Sequence, residues 1–323
     1  MRLAVLSAAL LLASSVSAIE ADADQPQWLE QLSEKFTLSN TELESAIEQA
    51  VYQQGIIDAM TRPAEAKPWS AYRPIFLTEK RLNQGVEFWQ EHEELLEKAQ
   101  QELQVPPQII TAIIGVETFY GTHMGTHKVL DALYTLGFHY PPRGEFFRSE
   151  FANYLVLAKE QGWELADQKG SYAGAMGMGQ FIPSSYRHYA VDFDGDGERD
   201  LFDATDAIGS VANYFSEHHW QLDEDVAYPA TVTDTEKAQA LLSEERQLTH
   251  SWAELAAAGI IVEDELAADT PVKLIELAGA EGPEYWVVRH NFYVITRYNH
   301  SPLYAMAVYQ LSEQLKQAYE NSL

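Results

Sequence analysis

Cysteine is missing from all 323 residues. Its absence excludes disulfides, thiolate metal ligands, a thiol nucleophile and a lipid-carrying cysteine behind a leader. Positive charge is scarce: 21 lysines and arginines face 49 aspartates and glutamates, a net charge of −28. Such a surface repels phosphate backbones and anionic lipid heads, which argues against nucleic acid as a partner. Beyond Ala13 no apolar run approaches the roughly 20 residues that cross a bilayer, so stable membrane insertion is not expected. No fixed-period repeat is present either, which argues against a solenoid.

What is present begins with a leader. Arg2 supplies a short basic region, Leu3 to Ala13 an apolar run, and Val16-Ser17-Ala18 the small residues of a cleavage site. A secretory signal over 1–18 is expected, cleaved after Ala18. Acidic residues follow at once (Glu20, Asp22 and Asp24).

The mature chain, 19–323, reads as mainly α with a small α+β part. Trp28 to Ala59 is helical, with Leu43, Ala46, Ile47 and Ala50 at helical spacing. Three prolines make Arg62 to Pro74 irregular. One long helix is expected from about Gln84 to Leu103, and Pro106-Pro107 opens the next, to about Tyr120. Four glycines and two prolines between 121 and 145 predict a structured loop region. Helices follow over about Phe146 to Lys159, Pro183 to Val191 and Thr205 to His218. From about 226 to 283 the character shifts. Strand-like pieces (Val226 to Val232, Val272 to Leu277) flank a helix at Ser251 to Ala258, which predicts an inserted subdomain. Another strand is expected at Tyr285 to Val288, and a closing helix at Pro302 to Ala318.

One acid stands out. Glu117 lies four residues after Ile113 and eight after Ile109, on one face of an apolar helix. Desolvation there disfavours the anion and raises the pKa, as a general acid near neutral pH requires. Gly115 leaves space beside it, and Phe119 and Tyr120 are placed to wall a sugar site. The helix alone leaves open a structural glutamate bonded to buried groups.

The run from Asp192 to Asp203 has EF-hand spacing. Acidic residues stand at positions 1 (Asp192), 3 (Asp194), 5 (Asp196), 9 (Asp200) and 12 (Asp203), with Gly197 at position 6. Glu198, at position 7, would give its backbone carbonyl. Asp192, Asp194, Asp196, Glu198 and Asp203 are the expected ligands of one structural calcium ion. The shorter Asp203 in place of glutamate predicts weaker binding than in a sensor. Other pairs are poorer signals: His123 and His127 lack the glutamate of a zinc-protease helix, and Gly174, Gly177 and Gly179 fit no phosphate loop.

Taken together, four stretches resemble the lytic murein transglycosylase B family: Gly115 to Gly121, Lys169 to Tyr186, the acidic loop, and Asn291 to Asn299. Their order and spacing agree with the family over nearly all of the mature chain. The resemblance implies a lysozyme-like helical core and a periplasmic enzyme acting on peptidoglycan glycan strands. It implies cleavage of the β-1,4 bond between N-acetylmuramic acid and N-acetylglucosamine, a 1,6-anhydro product, and Glu117 as single acid/base. It also places Ser171, Tyr172, Gln180, Tyr214, Tyr293, Tyr298 and Asn299 in a glycan groove. Tyr72 and Arg143 are looser members, Arg143 facing the peptide stem. Cell-wall synthesis or hydrolysis proteins are the protein partners it suggests. Two alternatives stay open: a hydrolytic muramidase using a second carboxylate, and a non-catalytic, calcium-dependent glycan-binding protein.

Overall fold

Three short helices open the described part of the chain: α1 (Gln25–Phe36), α2 (Asn40–Gln49) and α3 (Gln54–Met60). A capping box starts α2, in which Ser39 and Glu42 each satisfy the other's backbone N–H. The computed structural model describes residues 25–61 and 67–322; the expected leader lies outside them.

The next segment departs from expectation. Residues Trp69–Phe76 form α4 although Pro74 lies inside it. An eight-residue helix gives up little to one missing N–H, and burial of Trp69 and Tyr72 offsets the loss. The expected long helix is two, α5 (Glu79–Glu91) and α6 (Glu93–Leu103). Thr78 caps α5 earlier than expected by accepting from the Arg81 N–H. His92 leaves helical geometry (φ −115°, ψ 26°) between the two, its ring edge-on to Phe88.

Helix α7 (Pro107–Thr118) buries nearly every residue, and α15 (Pro302–Glu320) packs along it. These two helices are the axis of the main core. The expected loop region instead contains α8 (Val129–His139), preceded by β1 (His127–Lys128). Its glycine misled the reading for a packing reason. A Cβ on Gly137 would meet the Arg148 backbone nitrogen at 3.1 Å, so the glycine lets α8 approach α9 (Gly144–Gln161) closely. β2 (Lys169–Gly170) pairs with β1, and α10 (Pro183–Tyr189) and α11 (Ala204–Glu217) follow.

The α+β part is a five-stranded antiparallel sheet: β3 (Ala227–Val232), β4 (His250–Ser251), β5 (Ile260–Ile261), β6 (Pro271–Ala278) and β7 (Pro283–Val288), in the order β4-β6-β7-β3-β5. Helices α12 (Thr235–Leu241) and α13 (Trp252–Ala257) lie between its strands in sequence. Alternation along β6 explains the layering. Val272 and Leu274 join a small separate core with Ala238, Leu255, Ile260 and Val287, whereas Ile275 and Leu277 face the main core. Lys273, of the same parity as Ile275, is buried with them. The chain returns to the helical part through α14 (His290–Tyr298).

Candidate active site

Glu117 sits one residue from the end of α7, a position set by how that helix stops. Phe119 and Tyr120 both take left-handed backbone (φ 54° and 57°), and Gly121 follows at φ 81°. Side chains rarely accept this conformation, so packing must hold it. The Tyr120 ring fills the space over two glycines: a Cβ on Gly115 would stand 2.6 Å from it, and one on Gly85 would meet its oxygen at 2.3 Å. Its hydroxyl donates to the Arg81 carbonyl at 2.9 Å. Phe119 lies under the Arg81 guanidinium, 4.7 Å from its ring centroid. Gly115 therefore makes room for Tyr120 rather than for a sugar, and both aromatics serve the helix end.

The Glu117 residue keeps partial exposure, while protein encloses its carboxyl group. Burial pushes its pKa up to about 7, opposed by a hydrogen bond from Tyr304. The Tyr304 hydroxyl donates to Glu117 Oε1 at 2.6 Å, which leaves Oε2 as the oxygen outside this bond. Sequence reasoning missed Tyr304. Its only signal was a tyrosine in the first turn of an apolar helix, three residues after the capping Ser301. Among the described residues, Tyr304 is the one group hydrogen-bonded to the Glu117 side chain, and the ionisable groups acting on Tyr304 besides Glu117 are Tyr298 and Tyr72.

Beside this centre a cleft of about 500 Å³ brings together Arg143, Gln180, Tyr214, Tyr298 and Asn299, five of the expected groove residues. Tyr298 and Tyr214 meet edge-on at 4.8 Å, and the Tyr298 ring stacks on Phe215. Their hydroxyls are spoken for: Tyr214 donates to the Arg297 carbonyl at 2.6 Å and Tyr298 to that of Gly179. Both rings act as walls more than as free donors. Gln180, at φ 51°, donates to the Gly177 and Met124 carbonyls, which fixes the glycine-rich turn. Ser171 Oγ accepts from the Ala173 and Ala175 N–H groups, and Tyr172 beside it is exposed. Arg143 lies over the Phe146 ring at 4.3 Å. Tyr72 is buried against Phe76. Tyr293 is placed elsewhere, in a second cavity beyond His300.

The acidic loop brings in a carboxylate that the expected ligand set did not include. The carboxylate oxygens that converge within 4.8 Å belong to Asp192, Asp194 and Asp206. Asp203 instead caps α11, accepting from the Thr205 N–H at 2.8 Å. Twelve-residue counting stops one helical turn too early: Asp206, three residues on, points back into the loop and accepts from the Phe193 and Asp200 N–H groups at 2.7 Å each. Asp196 accepts from the Glu198 N–H, and Asp192 from those of Gly195, Asp196 and Gly197. Burial raises the pKa of Asp206, and repulsion from Asp194 and Asp192 adds to it despite its backbone bonds. Three converging hard oxygen donors that repel one another fit a cation such as calcium.

These features match known proteins. The model of the transglycosylase SLT domain family matches residues 22–313. This chain belongs to that family. It is 41% identical over 298 residues to membrane-bound lytic murein transglycosylase B of Escherichia coli, covering 89% of this chain and 81% of the relative. The soluble lytic transglycosylase SltB1 of Pseudomonas aeruginosa superposes with a TM-score of 0.84 at 46% identity, covering 91% of this chain and 98% of that one. The E. coli lytic transglycosylase Slt35, solved in complex with calcium, gives 0.83 at 40% identity over 92% and 94%. The fold is that of a lytic transglycosylase, and the chain is an enzyme of peptidoglycan. No helix among the described residues is long and apolar enough to cross a membrane.

Proposed function

We propose that this transglycosylase cleaves the β-1,4 bond between N-acetylmuramic acid and N-acetylglucosamine without water, with Glu117 as its one acid and base. The observation that carries the reading is a carboxyl group enclosed at the end of a buried helix, with one oxygen held by the Tyr304 hydroxyl at 2.6 Å and, among the described residues, no hydrogen bond to a second carboxyl group. Two-carboxylate glycosidases need a partner acid roughly 5 to 9.5 Å away.

The chemistry follows. Protonated Glu117 donates to the leaving glycosidic oxygen as the bond from the muramoyl anomeric carbon breaks, and the sugar develops oxocarbenium character. The substrate's own N-acetyl oxygen shares that charge. The Glu117 carboxylate then accepts the proton of the muramoyl 6-hydroxyl while that oxygen bonds the anomeric carbon. The acid is regenerated and the product is a 1,6-anhydro end. With Tyr304 on Oε1, Oε2 is the oxygen that gives and takes the proton in this reading. A further family structure supports the product class: SltB3 of P. aeruginosa, 28% identical with a TM-score of 0.77 over 90% of this chain and 79% of that one, is a complex with NAG-anhNAM-pentapeptide.

Arg143, Gln180, Tyr214, Tyr298 and Asn299 line the glycan cleft in this reading. Asp192, Asp194 and Asp206 hold a structural calcium ion. The leader over 1–18 carries the chain to the periplasm, where its substrate lies.

Mass spectrometry of peptidoglycan digested with the mature protein tests this, beside Glu117→Gln. Fragments one water lighter than hydrolysis products, absent with the variant, are expected. Hydrated fragments would make the enzyme a muramidase, and no fragments at all would leave it a binding protein.

A further inference from the structure

Arg81 is a charge without a counter-ion. It lies on α5, 9% exposed, and among the described residues no carboxylate pairs with it. Burial lowers its pKa, yet a guanidinium keeps its proton in proteins. A buried, unpaired charge is strongly destabilising, so something must stand in for the missing anion. Two helix ends do. Nη1 donates to the Ile75 and Phe76 carbonyls, the last two of α4, at 2.7 and 2.9 Å. Nε donates to the Gly115 carbonyl in the last turn of α7 at 3.1 Å. Helix ends carry the partial negative charge of their unspent carbonyls, and a cation there is stabilising.

Those contacts bracket Glu117, which lies two residues past Gly115 and two before Phe119. The Gly115 carbonyl also accepts the Phe119 N–H at 3.1 Å, the bond that closes the helix. On the far side of Glu117 the guanidinium covers the Phe119 ring, and the Arg81 carbonyl receives the Tyr120 hydroxyl. One residue thus holds the backbone before Glu117 and both left-handed residues after it. At its other end it fixes the helix that carries Tyr72, and Tyr72 acts on Tyr304, the partner of Glu117.

A carboxyl that gives and takes a proton tolerates little displacement: about 1 Å costs roughly a hundredfold in rate. Resting on the proposed role of Glu117, we propose that Arg81 is a positioning residue of the reaction. It clamps the end of α7 to the end of α4, which sets the place of the Glu117 carboxyl and keeps it in register with Tyr304. Lysine cannot do this: an ammonium has no planar fork to reach both helix ends and no face to lie on Phe119.

Arg81→Lys in the mature protein tests the assignment, because the charge stays and the clamp goes. On glycan strands kcat should fall about ten- to a hundredfold with KM within about twofold, since no cleft residue is altered. Arg148→Lys is the matched control. Arg148 likewise ties a helix carbonyl, that of Gly137 in α8, from α9. Its loss should lower the melting temperature and leave kcat in place. A second reading needs no turnover, so it stands whether or not Glu117 is the acid. NMR of the Glu117 carboxyl in the resting protein follows its titration directly. Tyr304→Phe should move that titration upward, and by less than about half as much in the Arg81→Lys background, where the bond is already slack. Should Arg81→Lys fail to fold by circular dichroism, Phe119→Leu takes its place. It removes the stack and keeps the bonds, with a few-fold loss of kcat and a reduced Tyr304→Phe shift expected. An unchanged kcat, a kcat loss matched by Arg148→Lys at equal loss of melting temperature, or a full Tyr304→Phe shift in the variant background would each overturn the assignment.

Discussion

Two carboxylates in this protein, 75 positions apart in sequence, are treated in opposite ways. Glu117 is carried by a helix buried on almost every side, and desolvation drives it towards the neutral acid. Asp192 lies on an exposed loop whose glycines at φ 81° and 95° turn backbone N–H groups onto it. Against a desolvation penalty, the N–H groups of Gly197, Gly195 and Asp196 hold its carboxyl below the usual range. The same functional group is pushed towards its neutral form in one place and held as an anion in the other. Secondary structure decides which: a helix spends its N–H groups on itself, whereas a glycine turn aims them at a side chain.

The sharpest way to break this contrast is Glu117→Gln. Removing the acid should cost activity by a factor on the order of 10² to 10⁴, read as anhydro product per unit time. A smaller loss would mean that another group carries the proton. The pH profile sharpens the point. Glu117 must start protonated, so activity should fall as pH rises through about 7; a rate limited by this group only near 4.5 would refute the raised value.

Stability should fall over the same rise in pH. A carboxyl whose folded pKa is about 7, above 4.5, makes the native state bind more protons than the unfolded chain. Its contribution is full below 4.5 and is lost as pH rises through 7. Above that, ionised Glu117 costs the fold at most about 3 kcal/mol, less what its partial exposure screens. Glu117→Gln should therefore raise the melting temperature at pH 8 and leave it little changed at pH 4. Asp192 has the reverse sign: its contribution is present above 3.8 and vanishes as acid protonates it.

At the loop, chelation should lower stability by about 2 to 3 kcal/mol where calcium stands near a hundredfold above its dissociation constant. Asp206→Asn should abolish that calcium response, while Asp203→Ala should keep it and lose only a helix cap of about 1 kcal/mol. Equal responses from the two variants would restore the twelve-residue register. The smallest expected effect is Tyr304→Phe. Without its donor the Glu117 anion loses a stabilising partner, so the falling limb of the pH profile should shift upward, with a few-fold loss of rate.

Sequence reading reached Glu117 because one acid interrupts an otherwise apolar helix, a local pattern that periodicity exposes. It reached Gln180, Tyr214, Tyr298 and Asn299 only through the family resemblance, since nothing local marks them. It missed Tyr304, because a buried tyrosine reads as core until a partner from another helix is seen, and that partner is 187 residues away. Counting loop positions found Asp192 and Asp194 but not Asp206, whose side chain folds back from inside the helix that follows. Glycine content hid α8: Gly137 is there for contact with α9 and not for a turn. The strand pattern survived well, because alternation on β6 is a property of the strand itself, whereas the two-residue strands β4 and β5 exist only through their partners.

Helix α11 has the acidic loop bolted to one end and the cleft walled by Tyr214 and Tyr298 at the other. Asp206 reaches into the loop, the Phe193 ring is pressed so tightly on Gly209 that a Cβ would come within 2.4 Å of it, and Ser210 accepts from the Val191 N–H. Tyr214, eight residues past Asp206 and so about 12 Å along the axis, forms part of the cleft wall. Packed on α6, α7 and α10 between the two, the helix ties the loop to the cleft wall, so a loosened loop should disturb the wall that Tyr214 forms while the rest of the core stays in place.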